Sequence, residues 1–242
     1  MAPKSVSGKL IGVGLGPGDP ELLTIKAVRT IRAARVIAYP APDDGHSFAR
    51  SIAAEFMPRQ AIELPIVIPI YDQRFPAAEI YDQAQQEIEG ILNGGTDVVV
   101  LCQGDPLFYG SFMYLLARFA GRHEVDIVPG VTSLTACAAV AASPLCGRTS
   151  SLTVLTGTMN NQLLERKLGE GGSFAIVKIG RHLARVRQVL RELGMLEDST
   201  YVSHATLPSQ RMMPLADAPE DAPYFSTILV PGRFDLHGST QA

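Results

Sequence analysis

The amino-acid sequence predicts an α/β protein of two domains with mostly parallel or mixed sheets. Short apolar, β-branched segments alternate with segments of helical periodicity along the 242 residues. This alternation is typical of strands that helices join into a largely parallel sheet. It breaks at residues 143–148 and then resumes. We therefore expect an N-terminal α/β domain over residues 1–142 and a C-terminal α/β domain over residues 143–242.

Five strands are predicted in the N-terminal domain, at residues 9–13, 34–39, 61–70, 97–102 and 125–128. The third contains Pro65 and Pro69. Because proline donates no hydrogen bond to a sheet, we expect this strand at an edge. Helical periodicity predicts helices at residues 22–31, 47–56, 77–92, 111–120 and 134–142.

The C-terminal domain repeats the pattern on a smaller scale. Strands are predicted at residues 152–156, 174–179, 200–204 and 226–230. Helices are predicted at residues 161–168 and 183–193, and Gly194 is expected to end the second of them.

Composition restricts the classes of function. The net charge of −3 and the pI near 6.0 argue against a nucleic-acid-binding surface. No apolar run approaches the roughly 20 residues that span a bilayer, and the N-terminus lacks the apolar core of a signal peptide. The three cysteines form no CxxC pair, so we expect buried thiols, with no disulfide framework and no metal site. These features predict a cytoplasmic protein.

Residues 97–110 are expected to organise the first domain. The run Asp97-Val-Val-Val-Leu-Cys102 is typical of a strand that is buried on both faces. It ends at Gln103-Gly-Asp-Pro106, where proline and glycine favour a turn. A buried strand thus delivers this turn to the carboxyl edge of a sheet, where open α/β sheets bind ligands.

A second glycine-rich turn, Gly14-Leu-Gly-Pro-Gly-Asp19, follows the first predicted strand. It fails the dinucleotide fingerprint GxGxxG, because the last glycine would fall on Pro17 or on Asp19. The sequence contains no GK[ST] for a phosphate-binding loop, and Asp19 places a negative charge where a phosphate would bind. The turn therefore suits a neutral or cationic ligand better than a nucleotide phosphate.

Several ordered motifs together resemble the tetrapyrrole methylase family, the class III S-adenosylmethionine methyltransferases. The chain carries GLGPGDPELLTIKA at residues 14–27 and GDPLFYG at residues 104–110. It continues with PGVTS at residues 129–133 and ATLPSQ at residues 205–210. The resemblance extends over roughly residues 8–232.

This resemblance implies two αβα domains, S-adenosylmethionine in the cleft between them, and a homodimer. The composition, independently of the resemblance, predicts no resident metal, no nucleic-acid partner and no membrane. The residues that it assigns to the cofactor are Pro17, Gly104, Asp105, Phe108, Thr132, Ser133, Ile179 and Ala205.

Within the family, the likeness is greatest to the branch that methylates precorrin-2 at C20 in cobalamin biosynthesis. Residues 39–42, 47–50, 63–66 and 226–232 carry this likeness. The siroheme-forming branch usually has glycine where this chain has Gln103. Alternatives left open are a cobalt-bearing substrate, methylation of another ring carbon, and a tetrapyrrole carrier or sensor without catalytic activity.

The resemblance implies no protein nucleophile, because the attacking atom belongs to the electron-rich macrocycle. The sequence identifies no catalytic residue; His46, Tyr109 and Asp44 are candidates for a base only because they lie in predicted loops. The substrate carries many carboxylates, which arginine side chains bind well. The loop arginines considered for that role are Arg74, Arg148, Arg181 and Arg211.

Overall fold

The computed structural model describes residues 7–43, 45–68 and 78–232. The chain divides into two compact units, Met1–Thr132 and Ser133–Ala242. This division precedes the boundary expected after residue 142, because the helix Ser133–Val140 contacts a strand of the second sheet. Each unit has its own sheet and its own hydrophobic core.

The first unit contains a parallel sheet of five strands, β1 (Leu10–Gly14), β2 (Val36–Ala41), β3 (Ile62–Val67), β4 (Val98–Cys102) and β5 (Val125–Val128). Their order in space is β3-β2-β4-β1-β5. All five predicted strands are present, and the proline-containing strand β3 lies at an edge as expected. The helices are α1 (Ile25–Ala33), α2 (Phe48–Ala53), α3 (Ala78–Asn93) and α4 (Phe112–Phe119).

Strand β4 is buried on both faces, which explains its continuous apolar sequence. Val98 and Val100 pack in one core cluster with residues of α3 and α4. Val99 and Leu101 pack in another with residues of α1 and α2. Since successive side chains of a strand point to opposite faces, this sheet lies between two helical layers.

Helix α1 begins later than the sequence periodicity predicts. Asp19 accepts a hydrogen bond from the amide of Glu21 (2.9 Å) and starts a short 3-10 turn, Pro20–Leu22. Thr24 then caps α1, because its hydroxyl accepts from the amide of Ala27 (3.1 Å). Two successive caps therefore separate the glycine-rich turn from the helix.

The second unit contains a mixed sheet and three helices. Its strands are β6 (Leu152–Thr156), β7 (Ser173–Val177), β8 (Thr200–Ser203), β9 (Arg211–Pro214) and β10 (Ser226–Val230), in the order β6-β7-β10-β8-β9. β6 and β7 are parallel, whereas β10 is antiparallel to both β7 and β8. The helices are α5 (Ser133–Val140), α6 (Asn161–Leu168) and α7 (Leu183–Glu192).

The prediction of a loop around Arg211 is wrong, since this residue begins strand β9. β9 pairs antiparallel with β8 at the edge of the sheet. Its sequence, RMMP, has no buried residue, and Met212 is 49% exposed. An edge strand without a buried face has no alternating apolar pattern, which is why the sequence did not reveal it.

The environments of the cysteines are only partly as expected. Cys102 in β4 and Cys137 in α5 are buried, but Cys146 is exposed in the segment that follows α5. Burial raises the pKa of the Cys102 thiol, and the nearby charge of Asp105 raises it further. Within the described residues, none of the helices combines the length and the apolar character needed to cross a bilayer.

Candidate functional site

Three motif-bearing loops leave the first sheet side by side. β1 lies between β4 and β5, with Gly14 opposite Cys102 and Val13 opposite Val128. Because the three strands are parallel, the loops at residues 14–19, 103–110 and 129–132 all begin at its carboxyl edge. This edge brings together Pro17, Gly104, Asp105, Phe108 and Thr132, the residues assigned to the cofactor in this unit.

The first two of these loops are joined through their backbones. The amide of Leu15 donates to the carbonyl of Cys102 (2.8 Å). Gly16 and Gly104 then form an antiparallel bridge with hydrogen bonds of 3.2 and 2.8 Å. Both glycines have positive φ, 74° and 65°, a conformation that side chains disfavour. The bridge extends the sheet into the loops and fixes Gly104 at the end of β4.

The third loop approaches the other two too closely for a side chain. A Cβ atom on Gly130 would overlap the carbonyl oxygen of Gly104 and lie 2.8 Å from the Cα of Gly14. A Cβ on Gly14 would lie 2.5 Å from the amide nitrogen of Gly130. A Cβ atom added to Gly104, in contrast, would have no other atom within 4 Å. Gly14 and Gly130 thus serve packing, whereas the space that a side chain of Gly104 would occupy is empty and can admit a ligand.

The carboxylate of Asp105 connects the β4 loop to the β5 loop. Its Oδ1 accepts from the amide of Leu107 (2.9 Å), and its Oδ2 accepts from the amide of Gly130 (3.0 Å). Sequence reasoning assigned Asp105 to the cofactor alone and missed these backbone contacts. A carboxylate has capacity for further hydrogen bonds, so its cofactor role stays a prediction beside a structural role.

The GDPLFYG motif presents aromatic side chains at this edge. Phe108 is half-buried, and its ring meets that of Tyr109 edge to face, with the centroids 5.1 Å apart. Tyr109 has a φ of 56°, which is strained for a residue other than glycine. Such outliers are common at functional sites, so the conformation of Tyr109 supports a role for this loop.

The second unit has a comparable edge, from which the loops after β6, β7 and β8 leave. β8 runs in the same direction as β7, because both are antiparallel to β10. Ala205 follows β8 and is 7% exposed, whereas Ile179 follows β7 and is fully buried. Ile179 belongs to the hydrophobic core of this unit, so its side chain contributes to folding. Ser133 is exposed at the start of α5.

Three residues other than glycine have left-handed backbone conformations at this second edge. They are Lys178, His204 and Thr206, with φ of 54°, 49° and 71°. Sequence reasoning missed all three, because only histidine among these residue types is enriched in that region. Their concentration in the loops after β7 and β8 marks this edge as a strained part of the second unit.

The arginines considered for substrate binding are not brought together by what the structure describes. Arg148 lies in the segment after α5, Arg181 in a 3-10 turn before α7, and Arg211 in β9; all three are exposed. Arg74 and the candidate base Asp44 lie outside the described residues.

Three of the four segments that suggested C20 specificity, at residues 39–42, 47–50 and 63–66, are in direct contact. Glu63 in β3 receives two hydrogen bonds from the guanidinium of Arg50 in α2 (2.7 and 2.8 Å) and one from the hydroxyl of Tyr39 in β2 (2.6 Å). The bonds from Arg50 lower the pKa of Glu63. Ser47 caps α2 and also donates to the carbonyl of Pro40 (2.6 Å). This cluster fixes α2 and the loop before it against β2.

Comparison with known proteins decides the family. The model of the Tetrapyrrole (Corrin/Porphyrin) Methylases matches residues 9–219. The chain belongs to the tetrapyrrole methylase family. Among its relatives is a precorrin-2 C(20)-methyltransferase of Sinorhizobium sp, 38% identical over 94% of this chain and 97% of the relative.

A second relative and a solved structure are also similar to this chain. A cobalt-precorrin-2 C(20)-methyltransferase of Salmonella typhimurium is 29% identical over 93% of this chain and 97% of the relative. The crystal structure of a uroporphyrin-III C-methyltransferase from Thermus thermophilus, complexed with S-adenyl homocysteine, has a TM-score of 0.64. It covers 92% of this chain and 97% of its own at 24% identity, so this tetrapyrrole methylase shares the fold.

Substitution of Gly130 tests the close packing of the loops. Gly130→Ala should lower the free energy of unfolding by about 1–3 kcal/mol or more, because its methyl group would overlap fixed backbone atoms. Gly90→Ala is the matched control, since Gly90 is exposed in α3 with nothing within 4 Å of an added Cβ. This control should stabilise the protein by about 0.5–1 kcal/mol. Urea denaturation of both variants measures the difference, and an unaffected Gly130→Ala protein would contradict the packing.

Substitution of Asp105 tests its connection between the loops. Asp105→Ala should cost about 1–3 kcal/mol of stability, because the amide of Gly130 loses its acceptor. It should also weaken binding of S-adenosylhomocysteine in calorimetric titration. Asp126→Ala is the control, because Asp126 is exposed. Its Oδ2 lies 3.9 Å from Nζ of Lys9, which makes a weak surface ion pair. Equal stabilities of the two variants would show that the hydrogen bonds of Asp105 do not contribute to the free energy of unfolding.

Proposed function

We propose that this protein transfers a methyl group from S-adenosylmethionine to C20 of precorrin-2 in cobalamin biosynthesis. The observation that carries the proposal is the 38% identity to the Sinorhizobium enzyme of that name, which extends over nearly the full length of both chains. The match leaves little of either chain unaligned, since it covers 94% of this chain and 97% of the relative.

The loops of the first unit fit the chemistry of S-adenosylmethionine. This molecule carries a sulfonium cation and no phosphate. The loops at residues 14–19, 103–110 and 129–132 contain two aspartates and no lysine or arginine. Gly104 leaves open the space that a side chain would fill, and Phe108 offers an aromatic surface for the adenine. Bound here, the cofactor supplies an electrophilic methyl group.

In this proposal, the residues of the chain bind and orient rather than attack. Pro17, Gly104, Asp105, Phe108 and Thr132 hold the cofactor from the first unit. The family resemblance adds Ser133, Ile179 and Ala205 to the proposed cofactor residues. Positioning two reactants and excluding water lowers a barrier by about 7–11 kcal/mol in favourable cases, so no protein nucleophile is required. His46 and Tyr109 remain candidates for accepting the proton that the methylated carbon loses.

The proposed preference for C20 rests on the cluster around Glu63. Tyr39, Arg50 and Glu63 fix α2 against β2 and β3, and Ser47 fixes the start of α2 to Pro40. The loop between β2 and α2 follows the carboxyl end of β2. Its fixed position would select the ring carbon that faces the methyl group, so regiochemistry depends on how the macrocycle is held.

The proposal includes a cytoplasmic homodimer that takes a small tetrapyrrole as its substrate and binds neither nucleic acid nor membrane. The buried thiols of Cys102 and Cys137 suit a reducing compartment, and the net charge of −3 does not favour nucleic acid. Light scattering coupled to size-exclusion chromatography measures the oligomeric state.

A second candidate substrate is precorrin-2 that already holds cobalt. The Salmonella relative named for that substrate matches this chain nearly end to end, although at the lower identity of 29%. Cobalt in this case belongs to the substrate. Methylation at another ring carbon and a non-catalytic carrier or sensor are the remaining alternatives, and the following experiment separates them.

The proposed reaction is tested by product analysis. The enzyme is incubated with S-adenosylmethionine labelled with ¹³C in its methyl group and with precorrin-2 or its cobalt form in parallel. We expect one added methyl group by mass spectrometry and its NMR signal on C20, with faster turnover of precorrin-2. Label at C11 or C17 would contradict the assignment to C20. Binding without transfer to either substrate would favour the carrier.

A further inference from the structure

The second unit carries a cluster of aromatic side chains that the proposed mechanism leaves unused. Tyr224 and Phe225 precede β10, and His204 follows β8. The rings of Tyr224 and Phe225 meet edge to face, with centroids 5.1 Å apart and an interplanar angle of 83°. The centroids of the His204 and Phe225 rings are 6.3 Å apart, and the amide of His204 donates to the carbonyl of Phe225 (2.8 Å). The three residues thus form one cluster with Phe225 at its centre.

Tyr224 is the exposed member of this cluster. It is 70% exposed, whereas Phe225 and His204 are half-buried. A single exposed apolar residue is ordinary on a protein surface. A tyrosine ring that rests on a neighbouring ring and stays largely open to solvent, however, offers a flat apolar face and a polar hydroxyl to a ligand.

The turn that carries Tyr224 is fixed from the core of the second unit. The hydroxyl of Ser226 donates to the carbonyl of Pro223 (2.8 Å). Because that hydroxyl has one proton, the hydroxyl of Tyr201, at 3.0 Å, must donate to the Ser226 oxygen. Tyr201 and Ser226 are both buried. A surface that is ordered in this way before binding loses little conformational entropy when a ligand arrives.

The register of the sheet places a guanidinium group at the same edge. Ser203, at the carboxyl end of β8, pairs with Ser226 of β10 on one side and with Arg211 of β9 on the other. Because neighbouring strands lie about 4.8 Å apart, the backbones of Ser226 and Arg211 are about 10 Å apart. Arg211 is exposed. This edge therefore combines an aromatic surface with a cation.

That combination suits a tetrapyrrole better than the cofactor. A tetrapyrrole is a broad, partly conjugated macrocycle with acetate and propionate side chains around its rim. One molecule can therefore place a ring face on a tyrosine and, some 10 Å away across two strand spacings, a carboxylate on an arginine. Arginine binds carboxylates through two parallel hydrogen bonds. The adenine of S-adenosylmethionine is flat but carries no carboxylate.

We propose that Tyr224 and Arg211 form a substrate subsite at this edge of the second unit. The ring of Tyr224 packs against the tetrapyrrole macrocycle, and the guanidinium of Arg211 pairs with a carboxylate on its rim. Phe225 is a positioning residue, which supports the ring of Tyr224. This inference rests on the proposed function, which supplies the tetrapyrrole.

Binding measurements on matched variants test the subsite. Tyr224→Ala removes the ring and Tyr224→Phe keeps it, while Arg211→Met removes the charge. Leu193→Ala is the control for the loss of an exposed apolar side chain, since Leu193 is 37% exposed at the end of α7. Arg166→Met is the control for the loss of charge, since Arg166 is exposed in α6.

Anaerobic absorbance titration measures the affinity for precorrin-2 and for its cobalt form without requiring turnover, and calorimetry measures the affinity for S-adenosylhomocysteine. We expect Tyr224→Ala to weaken tetrapyrrole binding by about 5- to 30-fold and Arg211→Met by about 10-fold. Tyr224→Phe should retain most of the affinity. The affinity of all these variants for S-adenosylhomocysteine should be unchanged, and both controls should bind both ligands as the wild type does.

Unchanged tetrapyrrole affinity of folded Tyr224→Ala or Arg211→Met protein would overturn the subsite. An equal loss of S-adenosylhomocysteine affinity in Tyr224→Ala would also overturn it, because the ring would then serve the cofactor. A wild-type protein that binds the tetrapyrrole without methylating it would contradict the proposed reaction alone, since the same titrations still decide the roles of Tyr224 and Arg211. A wild-type protein that binds neither form would overturn both proposals.

Discussion

The packing of the first unit depends on one point where the backbones of three loops approach too closely for side chains. Gly14 and Gly130 contact each other and the carbonyl of Gly104, and the Asp105 carboxylate connects the same loops. Packing thus requires glycine at positions 14 and 130. These glycines affect ligand binding indirectly, because they set the positions of the loops. This packing fills the space around Gly14 and Gly130, whereas the space that a side chain of Gly104 would occupy stays empty. A motif that resembles a phosphate cradle is therefore held by close backbone packing and carries no basic side chain.

The two sheets differ in the charge that they place at their loop-bearing edges. The three motif loops of the first unit carry aspartates and no basic side chain, whereas the segment after β7 in the second unit is basic and contains the half-buried Lys178. This distribution corresponds to a ligand set with a sulfonium cation and several carboxylates. Strained residues occur at both edges, with Tyr109 in the first unit and Lys178 in the second, so each unit holds unfavourable conformations where ligands are proposed to bind.

Much of the fold could be predicted because its strands have strong local signals. The β-branched run of β4 predicts burial on both faces, and Pro65 predicts an edge. Strand β9 could not be predicted, since its exposed RMMP sequence carries no alternation. The sequence places the domain boundary after residue 142, whereas the compact units divide after Thr132, because the small residues of α5 do not indicate which sheet the helix covers. The loops of the site were found from their motifs, but the contacts of Asp105 and the backbone of Lys178 depend on tertiary packing that no local pattern encodes.

Hydrogen–deuterium exchange with and without S-adenosylhomocysteine tests most directly whether these edges hold the cofactor. The account predicts slower amide exchange on binding in peptides that cover residues 14–19, 103–110, 129–133, 178–182 and 204–210. Peptides from the carboxyl end of α3 should be unaffected and serve as the internal reference. Leu92 accepts a hydrogen bond from the amide of Gly8, before β1, so this end of α3 lies at the edge of the sheet opposite the motif loops. Saturating ligand that leaves exchange in these loops unchanged, or that protects other segments alone, would contradict the account.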